Sequence, residues 1–303
     1  MVDFKSLKKK SSASLEKLTK AVEALNESNG NPQDDKFWQP DVDKSGNGYA
    51  VIRFLPASAA DGDDALPWVK IFSHGFQGPG GKWYIENSRT TLGDKDPVSE
   101  YNSELWNSGI EANKDLARKQ KRKLSYISNI LVVEDSKHPE NEGKVFLYRY
   151  GKIIFDKITG AMNPEFEDEE PFNPFDFWEG ANFKLKIRKV DGYRNYDKCE
   201  FSKPTPIADD DDALEAIWKS EHALSVLLEA SNFKPYDQLK ARFESVIGLT
   251  GAASAPTTVE KARTEEKKKG GKKIIAEDAP EPVVVATEEE DDVAYFSRLA
   301  EED

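Results

Sequence analysis

Residues 183–188 read Phe183-Lys184-Leu185-Lys186-Ile187-Arg188, an unbroken alternation of apolar and cationic side chains. Because successive side chains of a β-strand point to opposite faces, this run predicts a strand whose apolar side chains enter a core. Its three cations then lie together on the outer face. Residues 145–150 repeat the period with three rings on one face, so the two runs together predict a β core with outward-facing cations.

The fold class follows from further short β-rich runs separated by turns and irregular insertions. They cover residues 49–55, 68–72, 82–86, 126–134, 145–150 and 183–190. No alternation of strands with helices is visible, so a parallel sheet is not indicated. We expect an α+β chain with a mainly β core, namely an OB-fold (a five-stranded Greek-key barrel) with an inserted subdomain, flanking helices and disordered tails.

The composition divides the chain into three parts. Residues 1–28 are predicted to form a basic N-terminal arm and a helix, and residues 29–247 the OB-fold core with an insertion at about 87–124. Two helices are expected at 213–230 and 236–247, packed against the barrel. Residues 248–303 lose periodicity and end in an acidic C-terminus, which predicts a disordered tail that recruits partners.

The formal net charge of −13 argues against a nucleic-acid partner unless the cations are gathered on one surface. Residues 1–20 carry a net charge of +4 and residues 251–303 a net charge of −6, so the middle carries −11. The single cysteine, Cys199, excludes an intramolecular disulfide framework and a multi-cysteine metal site. No apolar run approaches the roughly 18 residues of a membrane span, so we expect a soluble intracellular protein with no membrane partner.

Three segments combine cations with rings. They are the stretch Arg118, Lys119, Lys121, Arg122, Lys123 followed by Tyr126; the strand bearing Lys184, Lys186 and Arg188; and a predicted loop bearing Tyr193, Arg194 and Tyr196. Cations can follow a phosphate backbone while rings stack on unpaired bases, which predicts binding to single-stranded nucleic acid. The alternatives are that the rings fill the barrel and that the cations form an ordinary solvated face. No helix-turn-helix or zinc-finger pattern favours duplex DNA.

Six segments of the sequence carry a resemblance to one protein family. They are residues 47–56 (NGYAVIRFLP), 74–76 (HGF), 81–86 (GKWYIE), 129–133 (NILVV), 139–146 (PENEGKVF) and 178–183 (WEGANF). With these segments the chain resembles the single-stranded DNA-binding (helix-destabilising) proteins of T-even-type bacteriophages, in order over most of residues 1–207. The resemblance implies a cooperative, largely sequence-independent protein that coats and protects exposed strands during phage DNA replication, recombination and repair. It implies no enzymatic activity and a location in the cytoplasm of the infected bacterial host.

The resemblance also assigns residues. The implied DNA groove contains Arg53, Tyr84, Trp106, Arg122, Tyr126, Tyr148, Arg149, Tyr193 and Tyr196, to which the residue patterns add Lys121, Lys123, Lys184, Lys186 and Arg188. Cooperative self-association is implied for Lys8, Lys9, Lys10, Ser11 and Ser12. The segment 121–125 resembles a second copy of that motif, although Leu124 replaces a hydroxyl residue. The acidic C-terminus resembles a region that recruits replication and recombination proteins, and the protein's own messenger RNA is left open as a further partner.

One family feature is missing from the sequence. The family prototype holds a structural zinc with one histidine and three cysteines, but of that ligand set only His74 remains here. Ser88 and Ser99 stand near two of the cysteine positions, and residues 94–97 have lost the third. A serine hydroxyl is a poor zinc ligand, so we expect no zinc and no other cofactor.

The sequence leaves three alternatives to a single-stranded DNA-binding protein. The acidic runs 165–170 and 209–212 could in principle supply carboxylates to a nuclease metal site, but adjacent acids in a loop or helix cap rarely converge on one ion. A second alternative is an acidic scaffold that recruits replication proteins. A third is a single-stranded RNA binder that regulates translation.

Overall fold

The computed structural model describes residues 34–62, 64–166 and 168–249. The predicted arm at 1–28 and nearly all of the predicted tail at 248–303 lie outside these residues. The described strands are β1 (Phe37–Trp38), β2 (Gly48–Phe54), β3 (Val69–Gln77), β4 (Trp83–Asn87), β5 (Lys123–Glu134), β6 (Val145–Tyr150), β7 (Phe183–Val190), β8 (Tyr193–Asn195) and β9 (Glu200–Phe201). The described helices are α1 (Pro97–Asn107), α2 (Glu111–Gln120), α3 (Lys152–Met162), α4 (Asp211–Lys219) and α5 (Tyr236–Ile247).

The sheet is organised around β5. Its first half pairs with β3 and its second half with β2, while β6 runs along its other edge, all antiparallel. The described pairings follow an open path β1-β6-β5-β2-β7-β8, with β4 attached to β3 and β9 attached to β7. All six predicted strands are present, with ends shifted by a few residues. The α+β class with a mainly β core is therefore confirmed.

The alternation of β7 is also confirmed. Phe183, Leu185 and Ile187 are buried, whereas Lys184, Lys186 and Arg188 face outwards. Register places Ala50 of β2 opposite Leu185, so the two strands contribute to one apolar core. The pleat of the strand thus separates the core from the cationic face, as its period requires.

The rings of β5 and β6 fill this core. Tyr126, Tyr148 and Tyr150 are all buried, and the Tyr150 hydroxyl lies 2.8 Å from Ser128 Oγ. Helix α3, which the sequence analysis did not predict, closes over them, because the Phe155 ring stacks on Tyr126 at a centroid distance of 3.8 Å. These rings therefore pack in the core, as the packing alternative predicts.

Arg53 does not lie in a groove, contrary to expectation. Its side chain is fully buried, and Nη2 donates to the carbonyl oxygens of Asp176 and Thr205, both at 2.9 Å. Burial lowers the pKa of the guanidinium to about 10, with Asp176 acting in the opposite direction. Arg53 therefore fastens two loops to the outer side of β2. A Cβ at Gly180 would lie 2.4 Å from the Asp176 carbonyl oxygen and 2.9 Å from Arg53 Nη2.

Two predicted segments differ from the structure. Helix α4 ends at Lys219 instead of continuing to residue 230, because the backbone of His222 exchanges hydrogen bonds with the Asn129 side chain at 2.8 and 2.9 Å. Tyr193–Asn195, predicted as a loop, pairs with β7 as a hairpin. Helix α5 forms as predicted, and none of the described helices is long and apolar enough to cross a membrane.

The Gly180 contact can be tested with Gly180→Ala. The new methyl group overlaps backbone and the Arg53 guanidinium, so we expect the free energy of unfolding to fall by about 1–3 kcal/mol. Urea unfolding followed by circular dichroism measures it. Gly160→Ala is the matched control, since Gly160 lies within α3 and its Cβ would meet no atom within 4 Å. That change should stabilise the protein by about 0.5–1 kcal/mol. Equal effects of the two substitutions would contradict the close-packing account.

Candidate nucleic-acid interface

The cationic run Lys121–Lys123 lies where the insertion joins the sheet. Helix α2 ends at Gln120, and β5 begins at Lys123, so the run is the direct connection between them. The Arg122 guanidinium lies over the Phe72 ring of β3, 4.1 Å from its centre. All three cations are partly exposed, and burial lowers the pKa of Lys123. The arrangement places positive charge against a ring at the edge of the insertion.

A second ring and cation group lies on the insertion itself. Trp106, near the end of α1, is partly exposed, and two cations of α2 lie over it. Lys114 Nζ is 5.5 Å and the Arg118 guanidinium 5.3 Å from the ring centre. Arg118 also contacts the Glu111 and Asp115 carboxylates at 3.0 and 2.7 Å, which partly neutralises its charge. This group shares with the run at residues 121–123 the contact of a guanidinium with an aromatic face.

The outer face of β7 carries the third group. Two of its three predicted cations form ion pairs with surface carboxylates. Lys186 Nζ lies 2.7 Å from Glu200, and Arg188 forms a bidentate pair with Asp197. Tyr49 of β2 stands opposite Lys186 in register and is 42% exposed. Tyr193, at the start of β8, is 54% exposed. Exposed rings therefore stand beside cations here too, but acids compete for the cations.

The predicted groove residues fall into two sets. Those with partly or fully exposed side chains are Trp106, Lys121, Arg122, Lys123, Arg149, Lys184, Lys186, Arg188 and Tyr193. Those whose side chains are buried are Arg53, Tyr84, Tyr126, Tyr148 and Tyr196. A base cannot stack on a buried ring without opening the core, so in this conformation only the exposed set can meet DNA. The assignment of the buried set to the groove is corrected accordingly.

The burial of Tyr84 and Tyr148 has clear partners. Tyr84 stacks on Phe76 at 5.2 Å and packs against Phe243 of α5. Burial, followed by the nearby Asp96 and Glu86 carboxylates, raises the pKa of its hydroxyl. Tyr148 stacks on Tyr150 at 5.6 Å, and burial raises its pKa well above the usual range. Both rings therefore hold the fold together.

Sequence reasoning did not assign Tyr49, Phe72 or Trp83 to the groove, although the structure exposes each of these rings wholly or in part. Trp83 is next to the buried Tyr84 on β4, so strict alternation along this strand would have indicated its exposure. Phe72 could not be found in this way, because its value to the site comes from Arg122, which is distant in sequence.

Most of the exposed residues lie in two regions. Arg122 and Phe72 lie at the junction of β3, β5 and the insertion, with Trp106 on the insertion itself. Lys184, Tyr49 and Tyr193 lie along β7 and its neighbours, whereas Arg149 of β6 lies over the Phe37 ring of β1. Strand β2 stands between β5 and β7 in the sheet. Among the described residues, no group of three or more histidine, cysteine, aspartate or glutamate side chains could hold a metal ion.

Comparison with known proteins places the chain in a family. The family described as gp32 DNA binding protein like matches residues 46–247, which include β2 to α5. The chain is similar to the single-stranded DNA-binding protein of Enterobacteria phage T2, with 40% identity over 236 residues covering 76% of each chain. It is 39% identical over 262 residues to that of Enterobacteria phage T4, covering 84% of this chain and 83% of the other. The chain therefore belongs to the gp32-like DNA-binding protein family.

Proposed function

We propose that this protein binds single-stranded DNA largely without regard to base sequence and coats exposed strands during phage DNA replication, recombination and repair. The observation that carries the proposal is positive charge beside partly exposed rings where the insertion meets the sheet. Arg122, within the run Lys121–Lys123, lies over Phe72, and on the insertion Lys114 and Arg118 lie over Trp106. The names of the phage T2 and T4 relatives support the same ligand. An OB-type barrel built on the β5-centred sheet is part of this proposal.

Two kinds of contact produce affinity at this surface. Cations neutralise phosphates and release their condensed counterions, which makes binding favourable at low salt. Exposed rings stack on bases, each contributing about 1–3 kcal/mol whatever the base, because every base has a flat aromatic face. Stacking requires unpaired bases, so this combination selects single strands over duplex. A duplex is then destabilised by mass action, since the protein binds only the open form.

The remaining parts of the proposal concern segments outside the described residues. Lys8-Lys9-Lys10-Ser11-Ser12 docks on the adjacent protomer, so that each bound copy raises the affinity of the next by a second contact at high local concentration. The acidic end, residues 288–303, recruits replication and recombination proteins in the cytoplasm of the infected cell. Messenger RNA is a proposed second ligand, because neither phosphate contacts nor stacking depend on the sugar.

The junction's role in phosphate binding is tested by Lys121→Gln. Loss of one phosphate contact on a single strand should reduce the slope of log affinity against log salt by about 0.7. Fluorescence anisotropy of labelled oligo-dT at graded salt measures the slope. Lys144→Gln, a charge change at an exposed lysine between β5 and β6, is the control and should leave the slope unchanged. Equal slopes for the two variants would remove Lys121 from the interface, and an affinity that does not fall with salt favours the acidic-scaffold alternative.

The stacking role of the β7–β8 hairpin is tested by Tyr193→Ala. Removal of this exposed ring should weaken oligo-dT binding by about 1–3 kcal/mol while leaving the unfolding temperature unchanged. Tyr193→Phe keeps the ring and should bind as the unaltered protein does. Isothermal titration calorimetry gives the affinities. If Tyr193→Ala retains full affinity, the hairpin lies outside the DNA path.

The role of the N-terminal arm is tested by deleting residues 1–20. We expect cooperativity on long poly-dT to be lost, while affinity for an oligonucleotide that holds one protein changes little, because the arm contacts the neighbouring protomer. Titrations of short and long strands under identical salt measure both quantities. Cooperative binding that survives the deletion would rule out this role for the arm.

A further inference from the structure

A buried polar cluster joins the insertion to the sheet. His74 of β3 and Asp96, which precedes α1, are each only 1% exposed, and His74 Nε2 lies 3.3 Å from Asp96 Oδ1. The other ring nitrogen, Nδ1, lies 2.9 Å from the carbonyl oxygen of Gln120, the last residue of α2. The amide of Asn102 on α1 donates to the same carbonyl oxygen at 3.1 Å. One cluster therefore contacts β3, α1 and α2.

The partners of His74 limit which ring atoms could bind a metal ion. A carbonyl oxygen can only accept, so Nδ1 must carry a hydrogen and has no lone pair to offer. The remaining nitrogen, Nε2, lies against the Asp96 carboxylate.

Asp96 is equally committed to protein partners. Oδ1 accepts from the backbone N–H groups of Val98 and Ser99 at 3.1 Å and so caps α1, while Oδ2 accepts from the N–H of Arg89 at 3.1 Å. Burial alone would raise its pKa, but the hydrogen bond and charge of His74, together with these amides, lower it to about 2. The carboxylate is thus ionised and hydrogen-bonded on both oxygens.

These residues do not fit the zinc site that the family resemblance implies. His74 has only Nε2 left for a metal ion, and a serine hydroxyl is a poor zinc ligand. Ser88 Oγ lies 3.0 Å from Thr90 Oγ1, whereas Ser99 Oγ is buried without a hydrogen-bond partner. A tetrahedral site needs four good ligands, and in this cluster only His74 and Asp96 carry side chains that zinc commonly takes.

We propose that the His74–Asp96 contact closes the insertion without a metal and, through the Gln120 carbonyl group, positions the cationic run Lys121–Lys123. Gln120 immediately precedes Lys121, so the group that His74 and Asn102 hold is the peptide carbonyl at the start of the run. His74 and Asp96 are positioning residues, because neither reaches the surface. The positioning half of this inference rests on the proposed DNA-binding function, whereas the metal-free half does not.

The metal-free closure is tested on the full-length unaltered protein. Mass spectrometry of metals after purification in zinc-containing buffer should give far less than one zinc per chain. The unfolding temperature should be the same with EDTA and with added zinc chloride. One zinc per chain, or an unfolding temperature that falls with EDTA, would overturn the proposal whether or not the protein binds DNA.

The His74–Asp96 contact is tested with Asp96→Asn. An asparagine still caps a helix, but its amide group cannot accept on both sides, so it must turn an N–H toward either His74 or a backbone N–H. We expect the unfolding temperature to fall by about 5 °C or more. Asp94→Asn is the control, because Asp94, two residues before Asp96, makes an exposed ion pair with Arg89. It should change the unfolding temperature by about 2 °C or less.

The positioning role needs a measurement that general destabilisation leaves unchanged. At a temperature where Asp96→Asn is folded, the salt slope of its oligo-dT binding should be smaller than that of Asp94→Asn by about 1–2, as displacement of the run loses up to three phosphate contacts. A lower unfolding temperature with an unchanged slope would contradict the positioning role. Equal unfolding temperatures for the two variants would contradict the role of the His74–Asp96 contact in closure.

Discussion

Antiparallel hydrogen bonding along β5 is the constraint on which the rest of the structure depends. The strand bonds to β3, β2 and β6, and it begins at the last cation of the run that leaves the insertion. Its register therefore fixes two positions at once. Tyr126 points into the core, and Lys123, the first residue of the strand, lies where the insertion meets the sheet. A one-residue slip would exchange the two faces and separate the buried Asn129 from its hydrogen bonds with His222.

Burial divides the aromatic residues by role. The rings of Tyr126, Tyr148 and Tyr150 pack against one another and against α3, whereas Trp106, Tyr49 and Tyr193 remain exposed beside cations. A ring that fills a core stabilises the fold, and a ring on a charged surface can meet a base. Aromatic content therefore serves both fold and ligand, and side-chain direction along each strand decides which.

The sequence predicted the fold better than the site. Alternation in β7 gave the buried Phe183 and Leu185 and the outward Lys184, because a pleated strand imposes a period of two on its side chains. The same period could not show that α3 covers the ring face of β6, since that contact joins distant segments. Arg53 was misplaced for the same reason, because the loop carbonyl groups that bury it are more than a hundred residues away in sequence. The sequence could likewise not show that Asp197 and Glu200 form ion pairs with cations of β7.

The net charge of −13 is compatible with a polyanionic ligand only if positive charge is local. Residues 118–126, at the end of α2 and the start of β5, supply such a region. Hydrogen–deuterium exchange of the free protein and of its complex with oligo-dT tests this claim most directly. The account predicts that DNA-induced protection concentrates at residues 118–126 and at the β7–β8 hairpin. Protection confined to other surfaces, or none at these two segments in a saturated complex, would contradict it.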